Sequence, residues 1–367
     1  MNGADLSPNI AGGRVAVTRL YDVAYAIDLD EVERHVHTHR TRLKLARARP
    51  RSIAYAAPPV DLDLGPTTVR FGGRTCPVTA SARLFDFGAI RLSYSLDLGR
   101  TDWRSVVTRV DEFDSIAEQP DPWTGDLARV LAWIAPAIEK PVAPVLEIDH
   151  TFATIFGFVP RLEAQQILER VDLVPLLTGE HRPLSLAARA DVLRNALTYY
   201  EDDLVVIGPS RSLIVEPGGE PDVADVLGVA HAQLLELRSY DQLLATELIA
   251  MHARVEKARS GIGALARRRY AALAHALYGL HAEITSVSER VENALVVTED
   301  VYLAKVYEAA LEQYRVPTWS AGVHRSLELV RDAYSALNDE ATSARAEYLE
   351  IAIVVLIAVD ILIALLV

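Results

Sequence analysis

Cysteine is nearly absent: Cys76 is the single one in 367 residues, so neither an intrachain disulfide nor a cysteine-based zinc site can form. That scarcity fits a reducing compartment. The common catalytic signatures are missing too. There is no Gly-x-x-x-x-Gly-Lys loop for phosphates and no Gly-x-Gly-x-x-Gly after a strand. Gly-x-Ser-x-Gly and His-Glu-x-x-His are also absent, which removes the nucleophile elbow and the zinc-protease helix. Positive charge is scarce: the net charge is −13, which argues against a chain-wide preference for nucleic acid. The first residues, Met1–Pro8, hold neither a basic n-region nor an apolar h-region, so no signal peptide is expected.

What is present is the composition of a folded protein. Half of the residues are apolar and 24% are charged, and the length suits two or three domains. Residues 1–13 are expected to be disordered. Val, Tyr and Ile enrichment in residues 14–27 predicts a strand. Asp28 and Asp30 can cap a helix from about Leu29 to Ala46, with Val32, Val36 and Leu43 on one face. Further strands are expected at Ser52–Ala57, Thr67–Phe71, Cys76–Thr79 and Phe85–Leu96, with Gly72-Gly73 as a turn. Thr101-Asp102-Trp103 and Asp121-Pro122-Trp123 open helices. Val145–Val159 returns to strand character, and Gly208-Pro209-Ser210 joins Leu204–Ile207 to Ser212–Val215 as a hairpin. From Asp222 onward the pattern is helical, with Leu237, Asp241, Leu244, Leu248, Met251 and Val255 spaced by fours and threes and Asp241 breaking the apolar stripe.

The resulting expectation is an α+β fold. An N-terminal mixed α/β body (14–217, with a subdivision near 140–145) precedes a helical bundle or coiled-coil stalk (222–348). That stalk is expected to continue into one transmembrane helix, Leu349–Val367. About fourteen Leu, Ile and Val residues there contribute about −6 kcal/mol towards insertion, against about 3 kcal/mol for the central Asp360. Arg325, Arg331 and Arg345 on the near flank favour a cytoplasmic location for the bulk of the chain, on a cytoplasmic membrane crossed once. Glu350 and Asp360 are then costly in lipid, which suggests helix association and a homo-oligomer.

Four local features carry candidate chemistry. His35, His37 and His39 form the most metal-like run, but no carboxylate or cysteine completes a zinc set, so no metal or cofactor is assigned. Arg34, Arg40, Arg42, Lys44, Arg47, Arg49 and Arg51 lie in an acid-free stretch suited to an anionic partner: lipid, RNA or an acidic protein. Without interleaved aromatics that stretch does not predict sequence-specific nucleic-acid reading. Asp86-Phe87-Gly88 copies a kinase triplet in isolation, so Phe85 and Phe87 are read as packing residues. Glu201-Asp202-Asp203 is read as caps and turns rather than a carboxylate pair, and no catalytic residue is assigned.

Several blocks together resemble a known family. They are Arg83–Ile90, Leu204–Ile207, Gln233–Asp241, Thr298–Tyr302, Arg345–Ile351 and Leu356–Asp360. In that order they are similar to the "required for meiotic nuclear division" family of domains of unknown function, with its bacterial YagE-like members. Asp360 stands where that pattern more often has glutamate, and Ser239 where it has an aromatic. The resemblance implies a membrane-associated, self-assembling protein without an established enzymatic activity or catalytic residues. Some of its relatives support mitochondrial translation and others act in sporulation and meiosis. The Ala-, Arg- and Val-rich composition suggests a bacterial source. The functional expectation is a membrane-anchored, non-enzymatic scaffold or tether. Alternatives are an oligomeric pore fed by the helical stalk, or an enzyme with an unrecognised site.

Overall fold

The computed structural model describes residues 8–35, 40–42, 53–55, 57–142, 146–259, 264–293, 295–297 and 300–337. In chain order the first elements are β1 (Asn9–Ile10), β2 (Gly13–Asp22), β3 (Ala24–Ile27), α1 (Leu29–His35), β4 (Arg40–Arg42) and β5 (Ile53–Tyr55). Next come β6 (Val60–Phe71), β7 (Arg74–Leu84), β8 (Ala89–Leu98), β9 (Thr101–Asp102), α2 (Trp103–Asp114) and α3 (Trp123–Ile134). They are followed by β10 (Ile138–Pro141), β11 (Glu147–Ile155), β12 (Phe158–Val159), α4 (Ala164–Arg170), α5 (Val174–Thr178) and α6 (Leu186–Val192). The rest is β13 (Ala196–Leu197), β14 (Leu204–Ile207), β15 (Arg211–Val215), α7 (Asp222–Arg259), α8 (Ala264–Glu292), β16 (Leu295–Val297), α9 (Val301–Gln313) and a helix over 316–337.

The described residues divide into two compact units. One holds the chain up to Ser239 together with Arg290–Pro317, and the other holds Tyr240–Glu289 and the residues from Thr318 on. The first unit is built on a nine-stranded sheet in the order β13-β14-β15-β11-β2-β8-β7-β6-β4. The β11–β15 pair is parallel (Thr151 opposite Arg211) and its neighbours are antiparallel. Side chains alternate across a strand, so each strand supplies two faces. One face presents Val15, Val17, Ile90, Leu92, Ala153 and Leu213 to a core completed by Val106, Val110 and Phe113 of α2 and by Trp123 and Val130 of α3. The opposite face presents Arg83, Arg91, His150 and Ser212, all buried. The first half of α7 covers it, as the Arg83–Asp225 ion pair (2.6 Å) and the contact of the His150 and His231 rings, 4.1 Å between centres, show. Val226, Leu227, Val229, Ala230, Leu234 and Leu235 are buried at successive positions around this part of α7, which is hydrophobic all round because it is enclosed.

The elements with clear local signals form where expected. Asp102 caps α2 by accepting from the Ser105 amide at 3.0 Å. β14 and β15 pair as a hairpin, Leu204 opposite Val215. Phe85 and Phe87 are buried and stacked at 5.2 Å. Asp86-Phe87-Gly88 lies in the turn between β7 and β8, however, rather than within a strand. There the Asp86 carbonyl accepts from the Ile27 amide and the Gly88 carbonyl from the Val23 amide.

Two expectations are corrected. Among the described residues no helix is long and apolar enough to cross a membrane. The fold class is therefore mixed α/β with a helical C-terminal region, and the single-pass anchor and the cytoplasmic-membrane location expected from it are not supported. Leu349–Val367, with Glu350 and Asp360, lies outside the described residues. The helix expected to reach Ala46 is also shorter: α1 ends at His35, and Arg40–Arg42 is strand β4, paired at the sheet edge with Val60–Leu62. Sheet pairing satisfies backbone groups there that an isolated helix end would leave to solvent.

Gly88 has φ +102°, and a side-chain Cβ there would lie 1.7 Å from the Ala24 carbonyl oxygen. Gly88→Ala should therefore cost about 2–4 kcal/mol in denaturant unfolding. A loss under about 0.5 kcal/mol would show that the turn tolerates a side chain.

Candidate functional site

Three segments of the first unit converge on one cavity. The β13–β14 connection brings Tyr199, Tyr200, Asp202 and Asp203; the β15–α7 connection brings Glu216, Glu220 and Asp222; the start of α9 brings Asp300 and Tyr302. Each segment is held by its own acids. The Asp203 carboxylate accepts from the Tyr199 and Tyr200 amides at 2.7 and 3.0 Å, closing the turn that projects both rings. Glu216 accepts from the Gly218 amide at 2.9 Å. Asp300 caps α9 by accepting from the Tyr302 and Leu303 amides at 2.9 and 3.0 Å. The far end of α9 is fastened to the β13 side of the sheet by the Asn195 amide, which donates to Gln313 at 2.6 Å.

The cavity has a volume of about 290 Å³. Six carboxylates line it and no lysine, arginine or histidine does. Outside the lining, Arg161 pairs with the Asp202 carboxylate at 2.8 Å. Three tyrosines supply aromatic surface: Tyr199 lies 4.8 Å from Tyr200 and 5.2 Å from Tyr302, between ring centres. Tyr199 and Tyr200 are 59% and 52% exposed, unusual for rings of this size. Burial, and then the charges of Asp203, Glu216 and Asp300, raise the Tyr302 hydroxyl above its ordinary range, so it stays neutral. Burial also raises the Asp203 carboxyl; its two amide donors oppose that, and the neighbouring charge of Asp202 adds to it.

This arrangement favours an organic cation. Carboxylates focus negative potential in the concavity, and tyrosine faces attract ammonium or guanidinium groups. Among the described residues no group of three or more His, Cys, Asp or Glu has the geometry to hold a metal ion. Asp203 is committed to backbone amides, which makes it a positioning residue rather than a base. Another contact between groups of catalytic type is that of the Ser212 hydroxyl, 2.9 Å from Nε2 of His150. Both residues are at most 1% exposed, so no substrate reaches them and the contact is a core hydrogen bond.

The residues singled out in the sequence lie elsewhere. Arg34 forms an ion pair with Glu31 on α1. His35 Nδ1 lies 3.0 Å from the Glu31 carbonyl and 2.8 Å from its carboxylate. Arg40 and Arg42 lie on β4. His37, His39, Lys44, Arg47, Arg49 and Arg51 are outside the described residues. Of the triplet Glu201-Asp202-Asp203, read as turn residues, two line the cavity. The remaining acids are distant in sequence, and only the fold unites them.

Comparison with known proteins gives a family. Residues 12–222 match the model described as "Uncharacterized protein MJ0711, N-terminal domain". A relative, "Uncharacterized protein MJ0711" of Methanocaldococcus jannaschii, is 25% identical over 194 residues, covering 53% of this chain and 58% of the relative. The match thus spans less than two thirds of that relative's length. No solved structure matches. The family model covers more than half of the chain, and the chain belongs to this family.

Replacing the α9 cap, Asp300→Ala, should cost about 1 kcal/mol of stability and speed amide exchange in the first turn of α9. Asp300→Asn should keep both near wild type, since asparagine caps as well. Equal losses in the two variants would show that charge, not capping, is what matters at this position.

Proposed function

We propose, starting from this family membership, that the chain is a non-enzymatic scaffold or adaptor whose α/β unit engages a basic segment of a partner protein. The observation that carries the reading is the cavity: six carboxylates and three tyrosines, with no cation in the lining. A lysine or arginine side chain of the partner would enter it. The exposed rings of Tyr199 and Tyr200 at the mouth favour a polypeptide over a small free amine, because they extend the contact surface beyond the cavity. The narrower resemblance to the meiotic nuclear division and YagE-like proteins belongs to the same proposal, since it implies self-assembly without an established enzymatic activity. A bacterial source, a homo-oligomer, and an anionic partner at the basic stretch from Arg34 to Arg51 also remain parts of it. An oligomeric pore fed by the helical stalk and an enzyme with an unrecognised site stand as the alternatives to this reading.

Calorimetry at low salt with a lysine-rich peptide tests the reading. Binding should weaken at least about tenfold with Tyr200→Ala or Glu220→Gln, and should fall as salt rises. Spermidine and methylammonium serve as comparison ligands. If they bind and the peptide does not, the partner-protein reading gives way to a small-amine site. If none binds, the cavity is not a cation site.

A further inference from the structure

A second concentration of titratable groups lies under α7, away from the cavity. His231 of α7 stacks on Tyr314, the residue that ends α9, with ring centres 3.8 Å apart, and its ring lies 4.1 Å from that of His150 on β11. Both histidines are about 1% exposed. His150 has one anchor, the Ser212 hydroxyl of β15, and its Nδ1 is without a partner. Neither ring nitrogen of His231 makes a well-formed hydrogen bond, the Leu227 carbonyl one turn back giving only a weak pull. The charged groups around them are Arg91 of β8, whose guanidinium lies against α7 where Gly228 has no side chain, and Glu236, buried further along α7. The position after Tyr314 is Arg315, left-handed at φ +57°, just before the helix of 316–337 begins.

We propose that His231 and Tyr314 form an acid-sensitive latch: protonation of His231 releases Tyr314 and with it the C-terminal end of α9. Protonation places a charge on His231 inside the core. It would face the Arg91 charge and a second imidazole in a dry core, so the charged form needs water. Burial first, and then Arg91, depress this group to about 3, and burial depresses His150 well below its ordinary value as well. Water has two routes in. One breaks the β11–β15 pairing inside the nine-stranded sheet. The other lifts the Tyr314 ring at a helix end and gives up the Asn195–Gln313 hydrogen bond, beside a left-handed joint that already turns the chain. The second disrupts far fewer contacts, so the response is local. The N-terminal end of α9 keeps its Asp300 cap throughout.

The sign follows from linkage. A histidine whose folded value lies below its unfolded one adds stability that is complete above about pH 6.5 and is lost as the pH falls towards the folded value. Between pH 7.5 and 5.5 the open form should gain about tenfold. Hydrogen exchange on the intact protein, corrected for intrinsic rates, reads this directly. Amides of residues 310–316 should open at least about tenfold more at pH 5.5, while those of β11 and β15 stay constant. A uniform rise across all three, or no rise, overturns the proposal. His231→Phe keeps the ring stack without a nitrogen and should abolish the response; an unchanged acid response in a folded His231→Phe overturns it as well. If that variant fails to fold, the wild-type exchange pattern alone decides. The inference stands whether or not the cavity binds a cation.

Discussion

Where helices cover both faces of the sheet, the strands bury both sets of alternating side chains, and here these include arginines. That constraint organises the first unit. An unpaired guanidinium in such a place would be strongly destabilising, so each clamp recruits carboxylates from a neighbouring element. Arg83 of β7 donates to Asp61 of β6 at 2.7 Å and to Asp225 of α7 at 2.6 Å. Arg211 of β15 donates to Asp111 and Asp114 of α2 at 2.5 and 2.6 Å. Arg19 of β2 reaches Asp149 of β11 at 2.6 Å and lies over the Trp123 ring at 5.1 Å. These pairs tie the helices to defined strands. The Arg83–Asp225 clamp sits within one turn of Asp222 and Val223, so the same pair that pins α7 to the sheet also fixes one wall of the cavity.

Much of the architecture was legible in the sequence because its signals are local. Gly208-Pro209-Ser210 specified the β14–β15 turn, Thr101-Asp102-Trp103 marked a helix start, and the apolar spacing after Asp222 announced the long helix. The basic stretch misled for a physical reason. Val32, Val36 and Leu43 fit a helical period, yet the chain at Arg40–Arg42 has the sheet edge of β6 within reach, and strand pairing prevails. The apolar tail prompted an anchor on hydropathy alone, and among the described residues no helix meets that requirement.

The cavity was not legible. Asp202 and Asp203 stood out as adjacent acids, but turn geometry explained them equally well. Glu216, Asp222 and Asp300 join them only once β15 lies beside β14 and α9 returns to that edge. His150 and His231 are likewise solitary in sequence, and their contact exists because α7 lies across β11. Residues that act through long-range convergence leave no spacing to read, whereas caps and turns do.

The central claim is that the tyrosine-lined cavity receives a basic side chain. A crystal structure grown with a lysine-containing peptide tests it most directly. The account predicts the lysine ammonium inside the cavity, within about 6 Å of a tyrosine ring centre and in contact with a carboxylate. Peptide bound elsewhere with the cavity empty, or a cavity closed by its own side chains, would contradict it.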